Sequence, residues 1–294
     1  MFRKSFVILL FLPFLIMACA TTQTPLQEKL LTNSTPQFNG YISKIYEPIQ
    51  PMYKPVESNF KLSISIIELE APKNSSNKKS SERLELEIAA NCKIEKLGDL
   101  LTWEYKNMKF TADGKTTALK GSPVICRMLT DRFGKIQEIE LMDPIFRDPN
   151  ISPKKRNVFI AMFKEIDKRS YPLLPHNPVR SGDPIFKITD DTPFSAIDKE
   201  LGKYSRIYKD CEYIIDGWSF FNGKKVMVAS INKVIDITED NTDWQVKING
   251  YSLYDAETFQ IVDGHLSLVI LPNPSSNSKG SGKILIHQSA KLKK

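Results

Sequence analysis

The chain has 294 residues, of which 41% are hydrophobic and 26% charged, a composition typical of a folded globular protein. This excludes a chain that is disordered throughout, and the length suffices for one large domain or two small ones. Lys and Arg outnumber Asp and Glu by 41 to 34. Because this small excess forms no basic stripe with interleaved aromatics, the sequence predicts no nucleic-acid partner.

The amino-terminal residues, MFRKSFVILLFLPFLIMAC, have the organisation of a secretory signal. Arg3 and Lys4 precede an apolar run at 6–17, and the small residue Ala18 comes directly before Cys19. The run is shorter than the roughly 20 residues that a membrane-spanning helix needs, and a proline at position 13 interrupts it. We therefore predict a signal peptide at 1–18 rather than a retained membrane helix.

The end of this signal, Ile16-Met17-Ala18-Cys19, resembles the lipobox of bacterial lipoproteins. The resemblance implies that Cys19 is the lipidation site and the first residue of the mature protein, which is then held in the cell envelope by its acyl chains. Ala20 follows in place of an inner-membrane retention Asp, which by the same resemblance favours the outer membrane, with the domain facing the periplasm or the cell surface. A chance thiol within a plain signal peptide is the alternative.

Residues 19–57 contain repeated prolines with Thr, Asn and Gln and show no sustained periodicity. This composition predicts an extended, lipidated tether between the membrane and the folded domain. Its second half contains four apolar or aromatic residues that could instead pack on the domain, and that alternative stays open: Tyr41, Ile45, Tyr46 and Tyr53.

From residue 60 the hydrophobic pattern has a period of two, which is typical of half-buried strands. The first half, 58–150, is predicted to hold antiparallel strands at 60–66, 83–88, 101–105, 108–111, 124–130 and 135–141. A helix is predicted at 151–172, where Ser152 and Pro153 suit its start and an apolar stripe follows. The second half, 173–294, has predicted strands at 205–215, 224–237, 243–253, 258–262, 266–271 and 283–287. The sequence therefore predicts a mainly β protein of two curved antiparallel halves linked by one α-helix.

A Pro-Val-x-x-Gly-Asp element stands at Pro178, Val179, Gly182 and Asp183. It is similar to a pattern in uncharacterised exported bacterial proteins that have duplicated β halves. The resemblance implies a fold and no chemistry.

No motif in the sequence indicates catalysis or a metal, and no cofactor is predicted. The three histidines, His176, His265 and His287, are scattered without metal-ligand spacing, and we interpret each as structural or exposed. Cys92 lies on the apolar side of a predicted strand, which favours a small core residue over a disulfide with Cys126.

These observations predict a non-enzymatic envelope lipoprotein that binds a hydrophobic ligand or an envelope partner protein. The expected lining is aromatic: Trp103, Tyr105, Trp218, Phe220, Phe221 and Trp244. A hydrolase with a site assembled from distant residues, and a purely structural surface lipoprotein, are the alternative hypotheses.

Overall fold

The computed structural model describes residues 36–69, 81–112, 115–118, 124–142, 173–187, 212–239, 242–272 and 281–293. Cys19 and the predicted helix at 151–172 lie outside these ranges. The described residues form twelve strands, namely β1 (Val56–Leu69), β2 (Ser81–Leu97), β3 (Leu100–Ala112), β4 (Lys115–Ala118), β5 (Val124–Thr130), β6 (Ile136–Leu141), β7 (Pro184–Lys187), β8 (Glu212–Phe221), β9 (Lys224–Glu239), β10 (Thr242–Asp255), β11 (Ile261–Pro272) and β12 (Ser281–Lys293). In this part of the chain, no helix is long and apolar enough to cross a membrane.

All of these strands belong to one antiparallel sheet. Its order is β6-β5-β3-β2-β1-β12-β11-β10-β9-β8-β7, and the short β4 pairs with β3. Each predicted half is a meander of strands, and the first and last strands of the protein, β1 and β12, pair with each other and join the two meanders. The prediction of a mainly β, antiparallel protein is confirmed, but the two halves are parts of a single sheet.

The period-two pattern of the sequence accounts for most strand positions. Along β8, buried and half-buried residues alternate from Glu212 to Ser219, as expected for a strand with one face on a core. The sequence predicted two strands where the structure has the single strand β3, because the backbone at Asn107 takes a positive φ of 53° and the apolar pattern slips there. β11 likewise replaces two shorter predicted strands.

The sheet is strongly curved. Tyr53 N–H donates to the Arg132 carbonyl in the β5–β6 turn (2.8 Å), and Lys54 N–H donates to the Thr258 carbonyl in the β10–β11 turn (3.3 Å). In a flat sheet, the six strand spacings between β5 and β10 would hold these turns about 29 Å apart. Two consecutive residues reach both turns, so the turns lie within roughly 10 Å of each other. The sheet therefore curls until its two halves nearly meet at this end.

Two extended segments, 43–54 and 174–183, cross between the halves at this end, and we call them together the strap. Ser43 pairs with Trp218 on β8, and Ile49 pairs with Val179 of the other segment. At the opposite end of the crossing, Leu174 N–H donates to the Phe133 carbonyl in the β5–β6 turn. The strap therefore ties β8 to the far half of the sheet.

The face of the sheet under the strap, which we call the inner face, carries one continuous apolar cluster. Ile45, Tyr53, Leu174 and Val179 of the strap are part of it. Ten strands contribute, and their representatives in spatial order are Ile185, Ile215, Met227, Ile248, Leu268, Leu62, Ile88, Trp103, Met128 and Leu141. The core thus takes residues from both halves of the sheet.

The segment predicted as a tether is partly folded onto the sheet. Phe38 and Ile42 pack on the opposite, outer face against Val226, Val228 and Leu253. Ile45 and Tyr53 of the strap are buried, whereas Tyr46 of the strap and Tyr41, which precedes it, are exposed. The folded domain therefore begins well before residue 58. Residues 36–55 follow the alternative in which the second half of this segment packs on the domain.

Candidate functional site

The inner face is the first candidate site, and its aromatic residues lie at the strap end. Trp103 and Tyr105 on β3 are almost completely buried. The ring of Tyr53 in the strap meets Trp103 edge-on, with centroids 5.2 Å apart, a favoured arrangement for aromatic pairs. Trp103 Nε1 donates to Thr130 Oγ1 at 2.7 Å, which satisfies the buried indole N–H. At this end of the inner face the aromatic rings are therefore closely packed, and the buried indole N–H has a hydrogen-bond acceptor.

Gln260 and Ser58 are exceptions among the buried polar side chains at the same end. Gln260, in the β10–β11 turn, is fully buried, and neither its Oε1 nor its Nε2 has a hydrogen-bond partner within the described ranges. The Ser58 hydroxyl on β1 is also buried without a partner there. A buried amide that forms no hydrogen bond costs about 1–3 kcal/mol. Such groups are what a polar end of a bound molecule would satisfy.

The six aromatic residues predicted as a lining do not all face this site. Besides Trp103 and Tyr105, Trp218 packs partly against the inner cluster, while Lys225 Nζ lies 4.3 Å from its ring centroid. Phe220 is 72% exposed, and Phe221 packs in the outer-face cluster. The side chain of Trp244 lies outside what the structure describes. The sequence pattern did not distinguish these positions because β8 is irregular between Ile215 and Gly217, where its register shifts.

The Pro-Val-x-x-Gly-Asp element is the turn that attaches the strap to β8. Arg180 N–H donates to Asp183 Oδ2 (2.9 Å), and Gly182 adopts a φ of +97° that favours glycine. Gly182 N–H then donates to the Ile215 carbonyl (2.8 Å), while Ile215 N–H donates to the Asp183 carbonyl (2.9 Å). The motif therefore has a structural role, in line with a resemblance that implied only a fold.

Cys92 and Cys126 are buried thiols and form no disulfide. Both lie opposite Tyr105, one on each side of β3. Two strand spacings separate them by about 9.6 Å, beyond the roughly 7 Å that a disulfide can span. The interpretation of Cys92 as a core residue is confirmed.

A second candidate site lies on the outer face, where β11 and β12 pair. Asp263 and His265 stand two residues apart on β11, and His287 is directly opposite His265 on β12. His287 Nε2 lies 3.1 Å from Asp263 Oδ1, and His265 Nε2 lies 3.6 Å from Asp263 Oδ2. The two imidazole rings stack with centroids 4.2 Å apart. We call these three residues the Asp–His cluster.

The electrostatics of this cluster follow from burial and from the carboxylate. Asp263 is buried, whereas both histidines are half-exposed. The Tyr251 hydroxyl donates to Asp263 Oδ2 (3.3 Å). Burial, together with the charge of Asp263, raises the pKa of Tyr251 to about 12. Burial also lowers the pKa of His265; proximity to His287 lowers it further, while Asp263 opposes the change.

Two of the histidines that are scattered along the sequence, His265 and His287, lie side by side in the structure. Only the β11–β12 register brings His287 to His265, and the sequence does not reveal that register. The one available signal was Asp263-x-His265, because residues two apart on a strand share a face. His176 is exposed, its ring is tilted by 40° against that of Phe133 with centroids 4.1 Å apart, and it lies apart from the cluster.

Comparisons with known proteins identify no family. No family model and no curated protein matches the chain. Among solved structures, the chain is similar to one described as lipid–protein interactions in lipovitellin, with 13% identity and a TM-score of 0.40 over 82% of this chain. It is also similar to DynF from the dynemicin biosynthesis pathway of Micromonospora chersina, with 6% identity and a TM-score of 0.21. The second match covers 90% of this chain and 95% of DynF.

The chain spans only 25% of the length of the lipovitellin chain. Both TM-scores are below 0.5, so these distant likenesses carry no argument on what this protein binds. The case for a function rests on the two sites themselves.

Proposed function

We propose that this protein is a lipid-anchored, non-enzymatic protein of the bacterial envelope that binds a hydrophobic ligand on the inner face of its curved sheet. Cys19 carries the anchor, the outer membrane is the favoured location, and the domain faces the periplasm or the cell surface. The observation that carries the proposal is the inner cluster, because it runs across ten strands of a single sheet and takes residues from both halves.

The form of the sheet supports a ligand with an apolar body and a polar end. All described strands belong to one sheet, and in the described part of the chain the strap is what crosses the inner face. Apolar surface favours an acyl chain or another hydrocarbon group at about 25 cal/mol per Å² removed from water. At the strap end, the amide of Gln260 has an NH₂ group and a carbonyl oxygen that the described residues leave without hydrogen bonds.

Among the described residues, the Asp–His cluster is the group of convergent side chains on which the hydrolase hypothesis could draw. It lies on the outer face, away from the apolar surface. The hydroxyl that the structure places beside it, that of Tyr251, donates to Asp263 and not to a histidine. A nucleophile activated by an imidazole base is therefore not what this geometry offers.

The test uses protein in which Cys19→Ala removes the acyl chains of the anchor, so that any lipid found is a ligand. The protein is purified from its envelope fraction and analysed by native mass spectrometry and solvent extraction, followed by titration with a fluorescent fatty acid. We expect one co-purified or titrated acyl-chain molecule per protein. If the protein carries no such molecule and shows no saturable fatty-acid binding, the proposal is wrong and a structural lipoprotein is favoured.

Two matched variants locate the binding. Gln260→Leu removes the buried amide and should weaken fatty-acid binding without lowering stability, since it also removes two unsatisfied groups. Gln245→Leu is the control, because Gln245 lies on β10 and its amide bonds to Asp236 at an exposed position. Equal binding by both variants would place the polar end of the ligand elsewhere.

The anchor is tested separately. Replacing Cys19 by Ala should abolish palmitate labelling of the protein in growing cells, because the acyl chains attach at that thiol. Unchanged labelling would contradict the assignment of Cys19 and leave the ligand proposal standing.

A further inference from the structure

We propose that the Asp–His cluster on the outer face is a binding site for one divalent transition-metal ion, with Zn²⁺ as the reference ion. Asp263, His265 and His287 each offer one ligand atom, and these atoms all lie within 4.8 Å of one another. Two imidazoles and a carboxylate suit Zn²⁺, whose sites with three protein ligands keep a further position for water. The inner face, where we place the hydrophobic ligand, is on the other side of the same strands.

The distances agree with a single ion. Zn²⁺ bonds of about 2.0–2.1 Å with tetrahedral angles place neighbouring ligand atoms roughly 3.4 Å apart. Nε2 of His287 lies 3.1 Å from Asp263 Oδ1, and Nε2 of His265 lies 3.6 Å from Oδ2 of the same carboxylate. An ion at this place would replace the proton that a histidine otherwise shares with the carboxylate.

The strand pairing holds the ligands together. His265 and His287 form a directly opposite pair on β11 and β12, and Asp263 precedes His265 by two residues on the same face. Their rings are nearly parallel, with planes 12° apart, so binding requires them to tilt toward a common point. Both histidine side chains are about two-fifths exposed, which leaves room for this rotation and for water as a further ligand.

The surroundings supply an outer layer of hydrogen bonding. The Tyr251 hydroxyl donates to Asp263 Oδ2, and the Tyr251 ring lies 5.2 Å from that of His265. Ligating carboxylates in metal sites are commonly held by such hydrogen bonds, which orient them. On the far side, Phe38 packs against the Tyr251 ring, so the tyrosine is itself held in place.

The test is Zn²⁺ titration of the full-length protein by calorimetry, with His265→Asn and His287→Asn as variants and His176→Asn as the matched control. We expect one Zn²⁺ per wild-type chain. Each variant in the cluster should bind at least about tenfold more weakly, because losing even an outer-layer partner typically costs 10–100-fold. The His176→Asn protein should bind like the wild type.

A second measurement uses the wild-type protein and does not require any variant to fold. In the wild-type protein, Zn²⁺ should shift the imidazole NMR signals of His265 and His287 and leave those of His176 in place. Wild-type protein without saturable one-to-one binding would overturn the proposal. So would variants of the cluster that bind like the wild type, or ring signals that move equally at all three histidines.

Discussion

The attachment of the strap to β8 depends on the absence of a side chain at Gly217. A Cβ atom built there would lie 2.2 Å from the Ser43 carbonyl oxygen and 2.8 Å from Ile42 Cγ2. The first of these is a backbone atom and cannot rotate away, so Gly217→Ala should push the strap off β8. The change would break the two hydrogen bonds that Ser43 and Trp218 exchange, of 2.8 and 2.7 Å.

The loss of stability expected for Gly217→Ala is the sum of backbone strain and broken hydrogen bonds. Backbone strain at Gly217, where φ is +154°, costs roughly 1–3 kcal/mol for alanine, and the two hydrogen bonds contribute about 0.5–1.5 kcal/mol each. The control is Gly223→Ala in the β8–β9 turn, where φ is +75° and a Cβ would meet nothing within 4 Å. The stability of this variant should fall only by the cost of placing alanine in the left-handed region, about 1–2 kcal/mol.

Thermal unfolding and amide hydrogen exchange measure the difference. An excess loss of roughly 2–3 kcal/mol in Gly217→Ala should lower its melting temperature by about 5–10 °C relative to Gly223→Ala, at 2–4 °C per kcal/mol for a chain of this size. The amide of Ser43 should also exchange faster in Gly217→Ala alone. Equal melting temperatures for the two variants, or unchanged protection at Ser43, would refute the strap argument.

Three further predictions test the packing. A chain starting at Val56 should melt far below one starting at Pro36 or aggregate, because it lacks the buried residues of the first strap segment; similar melting would show that this segment is only a tether. Thr130→Val should cost about 1–3 kcal/mol in chemical unfolding because it removes the hydroxyl that accepts the buried Trp103 N–H, and a neutral effect would contradict that bond. Hydrogen bonds from Arg127 and Lys106 lower the pKa of Glu104 below 4.5, so its stabilising effect is present above that value and is lost as pH falls through the lowered pKa. The melting temperatures of wild type and Glu104→Gln should accordingly differ at pH 7 and converge as the pH falls through the lowered pKa of Glu104, and a difference independent of pH would refute this.

The strands were predictable because each half-buried strand has its own alternation of apolar and polar residues. The alternation at 60–66 or at 224–237 depends only on neighbouring residues, so it can be read without knowing the fold. The joining of the halves could not be predicted in this way. It depends on the pairing of β1 with β12, whose partner residues are more than 200 positions apart throughout the register, and no local pattern encodes such a partner.

The packing of the first strap segment was predicted only as an alternative to a tether, for a different reason. Its apolar residues, such as Ile45 and Tyr53, are spaced irregularly because an extended crossing segment anchors at separate points and has no repeating face. Its prolines also resemble those of a linker. Composition therefore indicated a tether where the structure has a part of the core.

The two candidate sites are tied together by one register. Along β11, Leu266, Leu268 and Ile270 face the apolar cluster. The residues that alternate with them face outward, and His265 is one of these. A slip of one residue between β11 and β12 would turn every side chain of one strand to the other face. It would separate His287 from His265 and at the same time put polar residues into the core. The cost of burying polar side chains in the inner cluster therefore fixes the register that assembles the Asp–His cluster, although no residue of that cluster contributes to the core.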